Sequence, residues 1–376
     1  MKKTMLAIIA IFACICIPSQ AQDNDSIPSK GYAMFEPEGH FKPYEFKRHP
    51  LGDDEILIDI VYSSICHSDV ARALGHWGAT HYPLVPGHEI VGKVTKVGKN
   101  VEKFKVGDYA GVGALVNSCG KCKYCMRGEE PYCKQKVLTF HGIDFFNNDE
   151  HTQGGFSNNL LVSEHFAVKV PDGADLKRVA PLLCAGITVY SPLQFTKVNK
   201  GDKVAVAGFG GLGHLALKYA VKMGAEVTVF DRTEAKRQAA LDMGAVKYVN
   251  VNNPEELKGM DDEFMVIINS ITTAYDPVMY LNMLQQDGDF VIVGIPSLEE
   301  TPHLDLAVPA RLGRKKIYGS QMGGIEETQR MLDYSVNNNI YPDVEMISID
   351  QLDNAFQKLM DGEVMFRYVI DMSTLK

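Results

Sequence analysis

The chain has 376 residues, of which 45% are hydrophobic and 23% charged, and its formal net charge is −9. That length suits about two domains and excludes a small disulfide-stapled scaffold, while the composition excludes wholesale disorder. The acidic balance and the lack of any basic run exclude a nucleic-acid binder, which would carry a basic face.

The amino terminus reads as an export signal. Lys2 and Lys3 precede an apolar run from Met5 to Ile17, shorter than the roughly 20 residues of a membrane span. Ser19-Gln20-Ala21 then puts small residues where a signal peptidase reads. Residues 1–21 are therefore expected to be a cleaved signal peptide, with the protein exported to the periplasm or secreted. It is cytoplasmic if this segment is not used. No stable membrane span is expected. Cys14 and Cys16 fall in this segment, leaving Cys66, Cys119, Cys122, Cys125, Cys133 and Cys184 of the eight cysteines.

From Lys30 to about Pro171 short strands and turns are expected. Glu55 to Val61 and Glu89 to Val97 are β-rich, and Val106-Gly107-Asp108 and Pro171-Asp172-Gly173 are turn signals. After Cys184 the rhythm changes. A strand over Lys203–Ala207 runs into Gly208-Phe209-Gly210-Gly211-Leu212-Gly213, and Leu212, Leu215, Ala216, Tyr219 and Met223 recur at helical spacing. Strands follow at Glu226–Phe230, Phe264–Ile268, Phe290–Val293 and Lys316–Tyr318, then a helix over Glu326–Val336 and a last strand over Phe366–Met372. Strands alternating with helices imply a doubly wound parallel sheet.

Cys119, Cys122, Cys125 and Cys133 lie at steps of three, three and eight. Four thiolates on a short loop suit tetrahedral zinc, with an iron-sulfur cluster as the alternative. Cysteines this close make poor disulfide partners and would cross-link only a tiny loop. A second constellation is spread along the chain: Cys66-His67-Ser68-Asp69, Gly87-His88-Glu89, and Cys184 at the apparent domain junction. Two thiolates and one imidazole make a catalytic type of zinc site with a fourth position open. Gly208-x-Gly210-x-x-Gly213 follows a strand and opens a helix, and Asp231 closes the next strand, which is the context a dinucleotide fingerprint requires.

These motifs together resemble the zinc-dependent medium-chain alcohol dehydrogenases over residues 30–376. The phrases Val85-Pro86-Gly87-His88-Glu89-Ile90-Val91-Gly92 and Cys184 to Pro192 are most similar to the cinnamyl alcohol dehydrogenase branch. The resemblance implies an α/β two-domain fold: a GroES-like β-barrel catalytic domain over residues 30–184 and 323–376, and a Rossmann nucleotide domain over residues 185–322. It implies two zinc ions per chain and reversible oxidation of an alcohol to an aldehyde. Cys66, His88 and Cys184 would hold the catalytic zinc, with Glu89 able to approach it, and Cys119, Cys122, Cys125 and Cys133 the structural one. Ser68 would take the alcohol proton and Asp69 would orient His88. His67, Thr188 and Arg367 would face the cofactor, whose pyrophosphate would lie on Gly208, Gly210, Gly211, Leu212 and Gly213. Relatives place a relay His where this chain has Ala71, so the proton would leave through the ribose hydroxyl and water, or His76 or His81 would replace it.

Asp231 favours NAD, because an acid there holds ribose hydroxyls, whereas Arg232 and Lys236 match basic positions of NADP-using relatives. NADP is favoured over NAD on this balance, with dual use open. Trp77, His81 and Tyr82, with Phe140 and Phe145 as apolar walls, suggest aromatic or medium-chain aldehydes. A polyol dehydrogenase and an exported non-catalytic zinc-binding protein are the alternatives, and the latter would show damaged ligands or glycine loop. A small-molecule substrate and a homodimer or homotetramer are the expected partners. If exported, the chain would carry its cysteines as thiolates into an oxidising compartment.

Overall fold

The computed structural model describes residues 26–376, so the signal segment expected over residues 1–21 lies outside the described residues. A seven-stranded sheet runs in the order Ala167–Lys169, Tyr109–Val112, Ile90–Val97, Glu55–Ile65, Arg367–Asp371, Val344–Ser348, with Asn159–Ser163 paired onto Glu55–Ile65. The long strand Glu55–Ile65 is its hub, antiparallel to three neighbours. Ile56, Ile58 and Ile60 alternate into a core shared with Ile90 and Val94, the period of two that a half-buried strand requires. The carboxy-terminal strand thus returns to the sheet built by the amino-terminal part of the chain.

The other large sheet has six strands in the order Lys247–Asn250, Glu226–Asp231, Lys203–Ala207, Phe264–Asn269, Leu284–Ile292, Lys316–Gly319. Every pairing is parallel. The order reverses between Lys203–Ala207 and Phe264–Asn269, the switch point at which doubly wound sheets bind ligands. Val204, Val206, Val227, Val229, Val266 and Ile268 are fully buried, as strands covered on both faces must be. The expected strand Phe290–Val293 begins earlier, at Leu284. The polar stretch Gln285-Gln286-Asp287-Gly288-Asp289 hides it from a hydrophobicity reading, and a register shift between Phe264 and Val266 absorbs the irregularity.

One apolar cluster runs from Val91 and Val168 of the first sheet through Leu183 and Ile187 to Val204 and Val206 of the second. The two domains therefore share packed side chains at the segment that carries Cys184. Among the described residues no helix is long and apolar enough to cross a membrane.

Candidate active site

Strand Glu55–Ile65 delivers Cys66 to the N-cap of the short helix His67–Ala73. The Cys66 N–H donates to Asp69 Oδ2 at 2.8 Å, closing a capping box. Asp69 is fully buried, and its other oxygen accepts from the Gly87 N–H and from His88 Nδ1, each at 2.9 Å. A carboxylate only accepts, so the His88 proton sits on Nδ1 and the Nε2 lone pair is left for a metal. His88 Nε2 lies 3.2 Å from Cys184 Sγ. Donor atoms of Cys66, His88, Glu89 and Cys184 all lie within 4.8 Å of one another.

The donor set fits zinc. Tetrahedral zinc with bonds near 2.3 Å to sulfur and 2.05 Å to nitrogen separates its ligands by about 3.5–3.8 Å. On the cysteine loop Cys119–Cys133 and Cys122–Cys125 are both separated by 3.5 Å and Cys119–Cys125 by 3.9 Å. A disulfide would need about 2.05 Å, and all six cysteines of the described residues are free. Backbone N–H groups of Lys121 and Cys122 pull the Cys119 thiol down to about 6, while burial pushes Cys125 up to about 12. At the second site a hydrogen bond from Cys184 holds the Cys66 thiol well below its ordinary range, and the same contact raises Cys184. In each set one thiol ionises at the expense of a neighbour, the frustration that a divalent cation removes.

Glu89 is fully buried, and burial pushes it up to about 7 against the pull of Arg367. Its Oε2 pairs with Arg367 Nη2, whose guanidinium also donates to Ser64 Oγ at 3.3 Å. Arg367 reaches the nucleotide loop as well: a Cβ added to Gly211 would lie 3.0 Å from Arg367 Cδ. In that loop Gly208 adopts φ +87°, and a Cβ on Gly213 would come within 1.9 Å of the Gly208 carbonyl. Only glycine fits there, because helix Gly213–Lys222 packs its start against the turn. A Cβ on Gly210 would meet nothing within 4 Å, which leaves an open approach above the helix N-terminus, where a pyrophosphate binds.

The other expected residues differ in exposure and in partners. Ser68 Oγ lies 3.6 Å from Cys66 Sγ. His67 is half-buried and its ring meets Trp77 edge-on, at 6.5 Å. Thr188, in helix Ala185–Phe195, is buried and its N–H donates to the Cys184 carbonyl at 2.9 Å. Leu212 forms the N-cap of the nucleotide helix. Both Asp231 oxygens accept main-chain hydrogen bonds, from Phe209 at 2.8 Å and Thr233 at 2.9 Å, and Lys236 Nζ stands 3.8 Å away. Arg232 is exposed. Ala71 is fully buried, His76 is exposed, and His81 stacks on His151 with ring centroids 3.9 Å apart. Phe140 stacks on His88 at 5.5 Å, whereas Phe145 is exposed on the Ile143–His151 hairpin and forms no buried wall.

Three supporting groups carried no recognisable sequence signal. Gln153 accepts from the Val85 N–H at 2.7 Å and donates to the Pro83 carbonyl at 3.0 Å, holding the segment that presents His88. Arg48 donates in turn to the Gln153 carbonyl at 2.8 Å. Glu130 ties the cysteine loop down: it faces His165 Nε2 at 2.8 Å and accepts from the Ile325 N–H at 3.2 Å.

Comparison with known proteins agrees with this geometry. Residues 52–172 match the alcohol dehydrogenase GroES-like domain, and residues 211–337 match the zinc-binding dehydrogenase domain. A probable formaldehyde dehydrogenase of Bacillus subtilis is 44% identical over 336 residues, 89% of this chain and 95% of that protein. Cinnamyl alcohol dehydrogenase 2 of Rauvolfia serpentina is 42% identical over 350 residues, 92% of this chain and 96% of that protein. The crystal structure of the Helicobacter pylori CAD complexed with NADP(H) is 48% identical, with a TM-score of 0.89 over 93% of this chain and 99% of that one. With two assembled zinc ligand sets beside a dinucleotide loop, the chain belongs to the zinc-dependent medium-chain alcohol dehydrogenases, oxidoreductases acting on CH–OH donors, in the branch of the cinnamyl alcohol dehydrogenases.

Proposed function

We propose that the protein is an NADP(H)-dependent alcohol dehydrogenase and aldehyde reductase for aromatic or medium-chain primary alcohols and aldehydes, working by reversible hydride transfer. The observation that carries this reading is Arg367. Its guanidinium pairs with Glu89 at the three-ligand set while its stem packs on Gly211, so one side chain joins the substrate end to the cofactor end. Cys66, His88 and Cys184 would hold zinc, which when bound would supply Lewis acidity toward the substrate oxygen. Ser68, beside Cys66, accepts the alcohol proton by hydrogen bond, and Asp69 keeps the His88 ring in register. His67 and Thr188 would face the cofactor. With alanine at position 71, His76 exposed and His81 stacked on His151, no histidine of the described residues stands in for the relay, and a proton on Ser68 would pass to a bound cofactor's ribose hydroxyl and water.

NADP is supported at the end of strand Glu226–Asp231. Asp231 is occupied by main-chain donors, and Arg232 and Lys236 flank it as partners for a 2′-phosphate. The Helicobacter pylori relative, solved with NADP(H), supports the same choice, and the cinnamyl alcohol relative supports aromatic substrates. Intact ligand sets and an intact glycine loop speak against a non-catalytic zinc-binding protein. The test is zinc per chain together with NADPH- and NADH-dependent reduction of benzaldehyde and cinnamaldehyde by the purified chain. Two zinc ions with turnover favouring NADPH are expected. Two zinc ions without turnover by either cofactor would overturn the enzymatic reading.

Two further features belong to this proposal. Strand Lys316–Gly319 ends the parallel sheet, and Ile295, Leu298 and Leu306 are 56%, 70% and 80% exposed nearby in sequence. That open edge suits pairing with a second copy, giving a homodimer or a homotetramer built from it. Light scattering that finds a monomer at micromolar concentration would remove it. Export with cleavage after Ala21 rests on Lys2, Lys3, the apolar run and Ser19-Gln20-Ala21. Cell fractionation with amino-terminal sequencing decides it: a cytoplasmic chain that retains residues 1–21 would overturn export.

A further inference from the structure

Next to residues of the candidate site stands a group of side chains that the reaction itself does not use. Ser68 and Arg72 are four residues apart on helix His67–Ala73, one turn or about 6 Å of rise, and share a face. The Arg72 guanidinium lies over the Trp77 ring at 5.7 Å from the centroid, and Trp77 in turn meets His67 at 6.5 Å. Phe140 stacks on His88 at 5.5 Å, and His141 is the next residue.

Arg72 is half-buried and makes no ion pair among the described residues. The one hydrogen bond of its side chain goes to the Trp77 carbonyl, at a long 3.4 Å. Burial and the nearby charges of Arg72, His81 and His151 pull His141 down to about 4, and no carboxylate counters them. Trp77 Nε1 and His141 Nδ1 are both buried nitrogens with no partner among the described residues, a cost that each sheds on meeting an acceptor. His141 is also held at φ 55°, a left-handed conformation that a non-glycine residue adopts at some expense. A cation without an anion thus meets Trp77 by contact and His141 through its charge, and both rings carry an unmet buried nitrogen.

We propose that Arg72, Trp77 and His141 recognise a carboxylate on the substrate, so that the favoured aldehydes and alcohols are acids carrying their reacting carbon a few ångström away. The inference rests on the dehydrogenase reading above and narrows its substrate class. The planar guanidinium fork matches a carboxylate bidentately, and the indole and imidazole N–H groups add donors from the flanks.

Trp77 is the chain's single tryptophan, so its emission reports occupancy without any turnover. With the full chain, benzoate is expected to change Trp77 emission saturably and benzyl alcohol to do so far more weakly. Arg72→Met is expected to lose the benzoate response and Arg72→Lys to keep part of it. In NADPH-dependent reduction, para-carboxybenzaldehyde is expected to exceed para-methylbenzaldehyde by about ten-fold in kcat/KM, the scale of one charge-assisted contact. That ratio is expected to collapse in Arg72→Met mainly through KM. Equal losses for both aldehydes, or a wild-type ratio of one or below with no benzoate response, would overturn the proposal. Benzoate binding without reduction of any aldehyde keeps the carboxylate site and overturns the dehydrogenase reading. Reduction of para-methylbenzaldehyde without a benzoate response does the reverse.

Discussion

Asp69 Oδ1 stands 2.9 Å from His88 Nδ1, and the same oxygen accepts from the Gly87 N–H at 2.9 Å. One buried carboxylate therefore orients the imidazole and pins the main chain that delivers it, while its other oxygen caps the helix that starts at Cys66. Removing Asp69 should loosen two ligands at once. Asp69→Ala is expected to weaken zinc at the catalytic set by about 10–100-fold, measured by chelator competition. An unchanged affinity would show that His88 needs no such partner.

The cysteine loop should behave as a closed, structural site. Cys125→Ser is expected to lower zinc from two per chain to one and to cost a few kcal/mol, roughly 5 °C or more in the thermal midpoint. Because Glu130 ties this loop to the Ile325 N–H, Glu130→Gln should reproduce part of the thermal loss with zinc content retained. Metal analysis and calorimetry on the two variants separate these outcomes.

At the cofactor end, Arg232→Ala is expected to raise KM for NADPH by about ten-fold, the worth of one charge-assisted contact, with little change for NADH. Asp231→Ser should favour NADPH by removing a like charge. It also takes an acceptor from the Phe209 and Thr233 N–H groups, so a lower thermal midpoint should accompany the gain. Equal effects on both cofactors would remove these residues from 2′-phosphate recognition.

His214 links stability to pH. It is fully buried, its Nδ1 lies 3.0 Å from the Gly210 carbonyl, and burial lowers it from 6.5 to about 3. The folded chain keeps it neutral, so between those values the unfolded chain binds a proton that the folded chain does not. Its contribution is therefore intact above pH 6.5 and is lost as the pH falls toward 3. From pH 7 to pH 5 this amounts to about 2 kcal/mol. Denaturant titrations of His214→Gln should show a correspondingly flatter dependence over that range, and a slope equal to that of the parent chain would exclude the assignment.

What was legible in the sequence was local. The steps of the four-cysteine loop specify a metal site because thiolates a few residues apart meet at small loop-closure cost. The glycine run specifies a phosphate turn because its backbone tolerates no Cβ at Gly213. Apolar spacing placed most strands of the parallel sheet, and missed the start of Leu284–Ile292 because its first half is polar.

The tertiary structure decided what depends on distant register. It brought Cys184 to His88 across 96 residues, and Arg367 to Glu89 across 278. It revealed the occupied carboxylate of Asp231 and the Arg72, Trp77 and His141 cluster without an anion. The resemblance had named several of these residues, yet their partners follow from strand pairing and domain packing. Side chains on separate elements meet only when the sheets that carry them are aligned, and no local pattern encodes that alignment.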